Sequence, residues 1–279
     1  MQDETIQDQL AAYAAYLDQE EKSEMTKKQY QRDVRCFLQF VSGKPITKER
    51  VIAYKEKLQR QYRPTSVNAK LAAINGFFSF TGKNELKVKQ LKIQRKPYCT
   101  QKRELSKEEY VRLIEAAARQ QNPKLSLLIQ TICGTGIRVS ELCFITAEAV
   151  RCGEATISMK GKTRTILLAD KLCSVLKKYM EQRAIKTGPV FVTRNGNPLD
   201  RSNIWKMMKV LCRSANVDMD KVFPHNLRHL FARCFYSANK DIAKLADILG
   251  HSHIDTTRIY IISSGQEHRR CMDALGLVI

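Results

Sequence analysis

A chain of 279 residues with 43% hydrophobic and 27% charged residues, 12 Gly and 7 Pro has room for one large or two ordinary domains and is not disordered by composition. Its 48 Lys plus Arg against 28 Asp plus Glu leave a net charge of +20 and a pI near 9.7, so its surface favours polyanions, nucleic acid first. The sequence has no run of about 18 apolar residues and no signal peptide at Met1-Gln2-Asp3-Glu4, which argues against membrane insertion and places the chain in the cytoplasm.

The first stretch predicts a bundle of four helices, because apolar residues recur at helical spacing between turn residues. The opening helix runs from Thr5 to about Glu20. Tyr30, Val34, Phe37, Leu38 and Val41 form the stripe of a second. Thr47 caps a third that carries Val51, Tyr54 and Leu58, and a fourth, entered through Pro64-Thr65-Ser66, carries Val67, Leu71, Ile74, Phe77 and Phe78 and closes near Gly82. Residues 1–82 thus read as a helical, core-DNA-binding domain.

From Lys83 to Arg103 the periodicity lapses, and Lys83, Lys87, Lys89, Lys92, Arg95, Lys96, Lys102 and Arg103 stand against one acid, Glu85. This is a basic linker, either a solvated tether or, the preferred reading on so basic a background, a segment that tracks phosphates. The second domain spans residues 104–279 and opens at Ser106 with capping-box spacing to Glu109. Leu125 to Cys133 predicts an apolar helix ending at Gly134-Thr135-Gly136, and Arg138 to Leu142 opens another. Ala155–Met159 and Thr165–Leu168 then alternate as strands of a hairpin around Lys160-Gly161-Lys162, with Pro189–Val192 as a third strand, before helices resume to about Leu275. The fold class is therefore mainly α with a small β-sheet, in two domains.

Nine single cysteines without a C-x-x-C pair read as reduced, buried filler. Lys160-Gly161-Lys162-Thr163 imitates the end of a nucleotide-binding loop, but position 156, where that motif needs Gly, is Thr, and the segment leads into a strand. His225 and His229 have the i, i+4 spacing of a zinc pair, yet Asn226 stands where the catalytic motif has Glu. No metal, nucleotide or other cofactor is expected.

In order, the chain presents Arg138 and Glu141, Lys160 on a hairpin, His225 and Arg228, Leu249-Gly250-His251, and Tyr260 nine residues after His251. This set and its order resemble the tyrosine site-specific recombinases, the phage-integrase and Xer-like group, over almost the whole chain. The resemblance implies that Arg138, Lys160, His225, Arg228, His251 and Tyr260 form an active site, with Glu141 as a supporting carboxylate. Physical chemistry agrees with such roles. Two guanidinium forks, Arg138 and Arg228, suit the charged oxygens of an attacked phosphodiester. A phenol costs about 4 kcal/mol to ionise at pH 7, so His225 is the candidate base. Lys160, with Lys162 as rival, would protonate the departing 5′ oxygen, while His251 would bind the phosphate or position Tyr260, and Glu141 would orient Arg138 or His225. A 3′-phosphotyrosyl bond stores the energy of the broken linkage, so rejoining needs neither ATP nor a metal.

The same resemblance implies a partner DNA duplex with paired core sites and four protomers around two such sites, monomeric when free, and leaves room for an accessory protein or a paralogous recombinase. With the first bundle starting almost at once, no arm-binding domain is expected. Met272, Leu275, Leu277, Val278 and Ile279 form an apolar tail after His268-Arg269-Arg270 that docks either on its own domain or on a neighbouring subunit. Integration or excision of an element and resolution of chromosome dimers are both open. The alternatives weighed are a type IB topoisomerase, a non-enzymatic DNA-binding regulator and a metal-dependent relaxase or replication initiator, for which His251-Ser252-His253 is a poor fit.

Overall fold

The computed structural model of the protein describes residues 2–42, 44–93, 104–159, 162–261 and 273–276. The chain divides into two compact units, Met1–Arg95 and Lys96–Ile279.

The first unit holds α1 (Gln2–Gln19), α2 (Glu24–Val41), α3 (Lys48–Gln61) and α4 (Pro64–Phe80). Each start has a local cause. Ser23 caps α2 by accepting from the Thr26 amide, and Pro64 occupies the first turn of α4, where no amide hydrogen is needed. The expected stripes face inward: Phe37 meets Phe78 edge-on at 5.6 Å between ring centroids and Tyr54 at 5.3 Å. One charge is buried in this unit, Asp33, and Lys70 and Gln29 both donate to it.

Residues 84–91, within the expected basic linker, are laid along this bundle. Leu86 and Val88 point inward. The Asn75 side-chain amide satisfies both backbone groups of Val88, at 2.9 and 3.0 Å, and Asn68 does the same for Leu91, at 2.9 and 2.8 Å. Lys48 reaches the carbonyls of Glu85 and Lys87, and Lys55 that of Lys89. The alternation leaves Lys83, Lys89 and Lys92 exposed and Lys87 half-buried. Arg95, Lys96, Lys102 and Arg103 lie outside the described residues.

The second unit runs α5 (Lys107–Arg119), α6 (Pro123–Thr135), a 3-10 turn (Val139–Phe144), α7 (Ala147–Cys152), β1 (Glu154–Met159), β2 (Lys162–Leu167), α8 (Asp170–Gln182), α9 (Arg201–Ala215), α10 (Pro224–Asn239), α11 (Ile242–Leu249) and α12 (Ile254–Ile261). The predicted capping box forms: Ser106 accepts from the Glu109 amide and the Glu109 carboxylate from the Ser106 amide. α10 packs on α6, α11 and α12, and the core gathers Leu128, Ile132, Phe191, Leu211 and Leu227.

Two expectations change. The α-helix predicted from Arg138 to Leu142 is a 3-10 turn, in which the Glu141 side chain rather than a preceding turn of helix takes the Arg138 amide. The third strand predicted at Pro189–Val192 makes only isolated bridges, from Pro189 to Thr146 and from Val192 to Pro198, so among the described residues the sheet is the antiparallel pair β1–β2. Proline at Pro189 and Pro198 removes the amide donors that a continuous ladder needs.

Phe37 is completely buried and bridges α2, α3 and α4 through its ring contacts. Phe37→Ala is expected to cost about 3–5 kcal/mol in urea denaturation of the full chain, and a cost below about 1 kcal/mol would refute the packing described.

Candidate active site

α6 terminates at Gly136, and α11 at Gly250. Both glycines have positive φ, +65° and +63°, and both are crowded: a Cβ on Gly136 would lie 2.4 Å from the Phe231 ring, and one on Gly250 2.4 Å from Arg164 Cδ. Only glycine fits either turn. The two turns free the carbonyls of Gly136 and Leu249, and Arg228, fully buried on α10, fills the space between them. Its Nη1 donates to the Gly136 carbonyl at 2.5 Å and its Nη2 to the Leu249 carbonyl at 2.8 Å, while Nε has no partner among the described residues. Burial and Arg138 oppose its charge, and Tyr260 and Glu141 favour it.

Arg138, exposed at the start of the 3-10 turn, is braced by Glu141. That carboxylate accepts from the Arg138 amide at 2.7 Å, from Arg138 Nη1 at 3.0 Å and from Arg164 Nη2 at 2.7 Å. Burial works to raise its pKa, but the Arg138 amide and the charges of Arg164 and Arg138 outweigh burial and hold it below the usual carboxylate range. Glu141 thus orients Arg138, one of the two roles expected of it. Its second partner, Arg164, was not anticipated: it extends from β2, where it faces Ile157 across the hairpin, and also donates to the Ile248 carbonyl at 2.8 Å. Arg138, Glu141, Arg164, Gly250 and His251 line a cleft of about 470 Å³.

His251 follows Gly250 directly, with Nε2 at 2.8 Å from Arg228 Nη2 and Nδ1 at 2.8 Å from Thr257 Oγ1. Tyr260, on α12, is 6% exposed, against Ala232, Leu245 and Leu249. Three imidazoles surround its ring. His229 meets it edge-on at 4.3 Å, His251 lies parallel at 5.6 Å, His225 is tilted at 5.7 Å, and the Arg228 guanidinium is 6.0 Å from the ring centre. Desolvation, then Arg228 and Arg138, lower the pKa of His225. Desolvation first, then neighbouring positive groups, push His229 and His251 down to about 4. His229 and His251 are thereby held neutral at pH 7, and the neutral form of His225, the most exposed of the three, is favoured in the same direction.

The structure therefore brings together Arg138, Glu141, His225, Arg228, His251 and Tyr260. Lys160 and the side chain of its rival Lys162 lie outside what is described, as do tail residues Met272, Leu277, Val278 and Ile279. Sequence reasoning missed Arg164 and Thr257 and gave His229 no catalytic role. Their signals were faint: Arg164 alternates with apolar positions on a strand, and Thr257 lies one turn before Tyr260. Among the described residues no group of three or more His, Cys, Asp or Glu is placed to hold a metal ion.

Comparison with known proteins gives consistent findings. Residues 103–267 match the phage integrase family, and residues 10–84 match the phage integrase N-terminal SAM-like domain. The sequence is 29% identical over 287 residues to the tyrosine recombinase XerA of Pyrococcus furiosus, spanning 100% of this chain and 98% of that one. The crystal structure of XerA recombinase aligns over 98% of this chain and 99% of its own, with a TM-score of 0.54 and 27% identity. A lambda integrase tetramer bound to a Holliday junction shares the fold, with a TM-score of 0.71 and 16% identity over 91% of this chain and 76% of that chain.

The neutral histidines set a pH dependence. The unfolded chain binds protons on His229 and His251 near 6.5 and the folded chain only near 4, so between these values the unfolded state holds more protons and stability falls as pH falls. The urea midpoint is expected to be lower at pH 5.5 than at pH 7.5, and the difference to shrink in His229→Phe. Equal midpoints at the two pH values would overturn this assignment.

Proposed function

Because the chain belongs to the phage integrase family, the tyrosine recombinases, we propose that Tyr260 is the nucleophile with which it cuts and rejoins DNA during site-specific recombination. The observation that carries this reading is the enclosure of Tyr260 by His225, His229, His251 and Arg228 in the same unit as Arg138.

The proposed reaction follows from the groups available. A phosphodiester seated in the cleft meets Arg138, and Arg228, buried behind His251, turns its fork from the carbonyls it holds toward the non-bridging oxygens as charge gathers there. The Tyr260 hydroxyl attacks phosphorus and passes its proton to His225. The bond to the 5′ oxygen breaks, that oxygen takes a proton from Lys160, and a 3′-phosphotyrosyl linkage remains. Reversal with a 5′ hydroxyl from a second duplex restores the phosphodiester and returns each proton. His251 holds Arg228 and stacks on the Tyr260 ring, and Glu141 fixes Arg138.

We assign residues 1–82 to gripping the core DNA and residues 104–279 to catalysis, with Lys83, Lys87, Lys89, Lys92, Arg95, Lys96, Lys102 and Arg103 tracking phosphates between them. Recombination exchanges strands between two duplexes, so four protomers on paired core sites are proposed, acting in the cytoplasm, where the outcome is integration and excision or dimer resolution. Neither the family match nor the relatives support a topoisomerase or a non-enzymatic regulator.

With a duplex nicked near the cleavage point, wild-type protein is expected to accumulate a covalent adduct, and Tyr260→Phe to form none while binding the duplex within about threefold of wild type. An adduct persisting in Tyr260→Phe would remove Tyr260 as nucleophile. Replacing the exposed Lys83, Lys89 and Lys92 by Ala is expected to reduce the slope of log affinity against log salt by about 0.9 for each lysine that neutralises a phosphate. A slope unchanged in the triple variant would mean that this segment does not touch DNA.

A further inference from the structure

Two hydrogen bonds determine where the proton of His251 sits. A guanidinium has only donors, so the 2.8 Å contact of Arg228 Nη2 with His251 Nε2 requires that nitrogen to accept. A neutral imidazole has one proton, which must then lie on Nδ1, aimed at Thr257 Oγ1, 2.8 Å away. Neutrality is expected here because the ring is desolvated and Arg228, Arg138, Arg164 and His225 all disfavour a further charge. Thr257 is completely buried on α12, one turn before Tyr260.

We infer that Thr257 is a positioning residue for the reaction: its hydroxyl accepts the His251 Nδ1 proton, fixes that tautomer, and thereby holds the imidazole against Arg228 on one edge and parallel to the Tyr260 ring on its face. The chain of contacts is continuous. Thr257 and Tyr260 share α12, His251 stacks on Tyr260 with an interplanar angle of 9°, and Arg228 Nη2 is shared between His251 and the Leu249 carbonyl. Without the hydroxyl, the buried Nδ1–H loses its acceptor, and the ring gains by turning that N–H toward water or another acceptor. Imidazole and guanidinium would then separate, and the nucleophile would lose the flat surface against which it is set. A threonine hydroxyl fits this task because it is small and, on a helix, restricted at χ1, whereas an isosteric valine fills the same space and accepts nothing.

This inference rests on the recombinase reading for its consequence in catalysis, but not for its geometry, and the experiment separates the two. In free full-length protein labelled with 15N-histidine, the His251 signals, assigned by their loss in His251→Gln, are expected to show a protonated Nδ1 and an unprotonated Nε2 at pH 7.5. A protonated Nε2 in the wild type would overturn the inference whatever the activity. Thr257→Val is expected to slow single-turnover adduct formation on nicked duplex about 10- to 100-fold at unchanged DNA affinity, with Thr257→Ser restoring most of the rate. A valine variant as fast as wild type, or a serine variant as slow as valine, would overturn it. Should Thr257→Val not fold, the wild-type tautomer and the serine rate still decide. If wild-type protein forms no adduct, the recombinase reading falls while the tautomer still tests the geometry.

Discussion

The second unit is organised around the burial of one guanidinium. Arg228 is 1% exposed and joins three chain segments that are far apart in sequence: the end of α6 through the Gly136 carbonyl, α10 itself, and the end of α11 through the Leu249 carbonyl. A buried charge without partners costs several kcal/mol, and carbonyl dipoles aimed at it offset that cost. Those carbonyls are available only because both helices end in a left-handed glycine, which turns the chain before the carbonyls are used by a further turn. The glycines, the helix lengths and the arginine therefore form one constraint. It places Arg138 just after the first turn and His251 just after the second.

Charge in the cleft follows from this arrangement. Arg138, Arg164 and Arg228 converge with one carboxylate, Glu141, shared by the first two. Burial first, and then the surrounding positive charge, disfavours protonation of the histidines, which explains why neutral imidazoles persist beside three guanidiniums. His225 has the further disadvantage for protonation of standing in the first turn of α10, at the positive end of the helix. Positive potential, neutral bases and an open cleft are the combination that an anionic diester with a proton to be removed from its attacker requires.

Much of this was legible from residue order, and the parts that were not share a cause. Helices with a repeating apolar stripe, such as α2 and α4, were found because their period is local, as is the entry signal of α4, Pro64. The six-residue set running from Arg138 to Tyr260 came from the resemblance to the tyrosine recombinases that residue order carries, and five of its members, all but Lys160, converge among the described residues. What failed depends on contacts between segments distant in sequence. The 3-10 turn at Val139–Phe144 arises because Glu141 serves two arginines, one of them 23 residues away. Residues 84–91 look like linker because their partners are the side chains of Asn68, Asn75, Lys48 and Lys55. Arg164 resembles any basic residue on an exposed strand until Glu141 and Ile248 are placed beside it.

The setting of Tyr260 shows how such a site handles a reactive group between substrates. A phenol is a weak nucleophile until its proton is removed, and Tyr260 is packed among rings and apolar side chains with little access to water. The guanidinium beside it, Arg228, also serves two carbonyls and His251. On the proposed reaction, attack coincides with the arrival of a phosphate, which draws the arginine donors toward its own oxygens as His225 takes the proton, so that loss of the proton and formation of the bond depend on DNA being in place. On that proposed reading, the geometry that packs the tyrosine is the same geometry that ties its activation to the substrate.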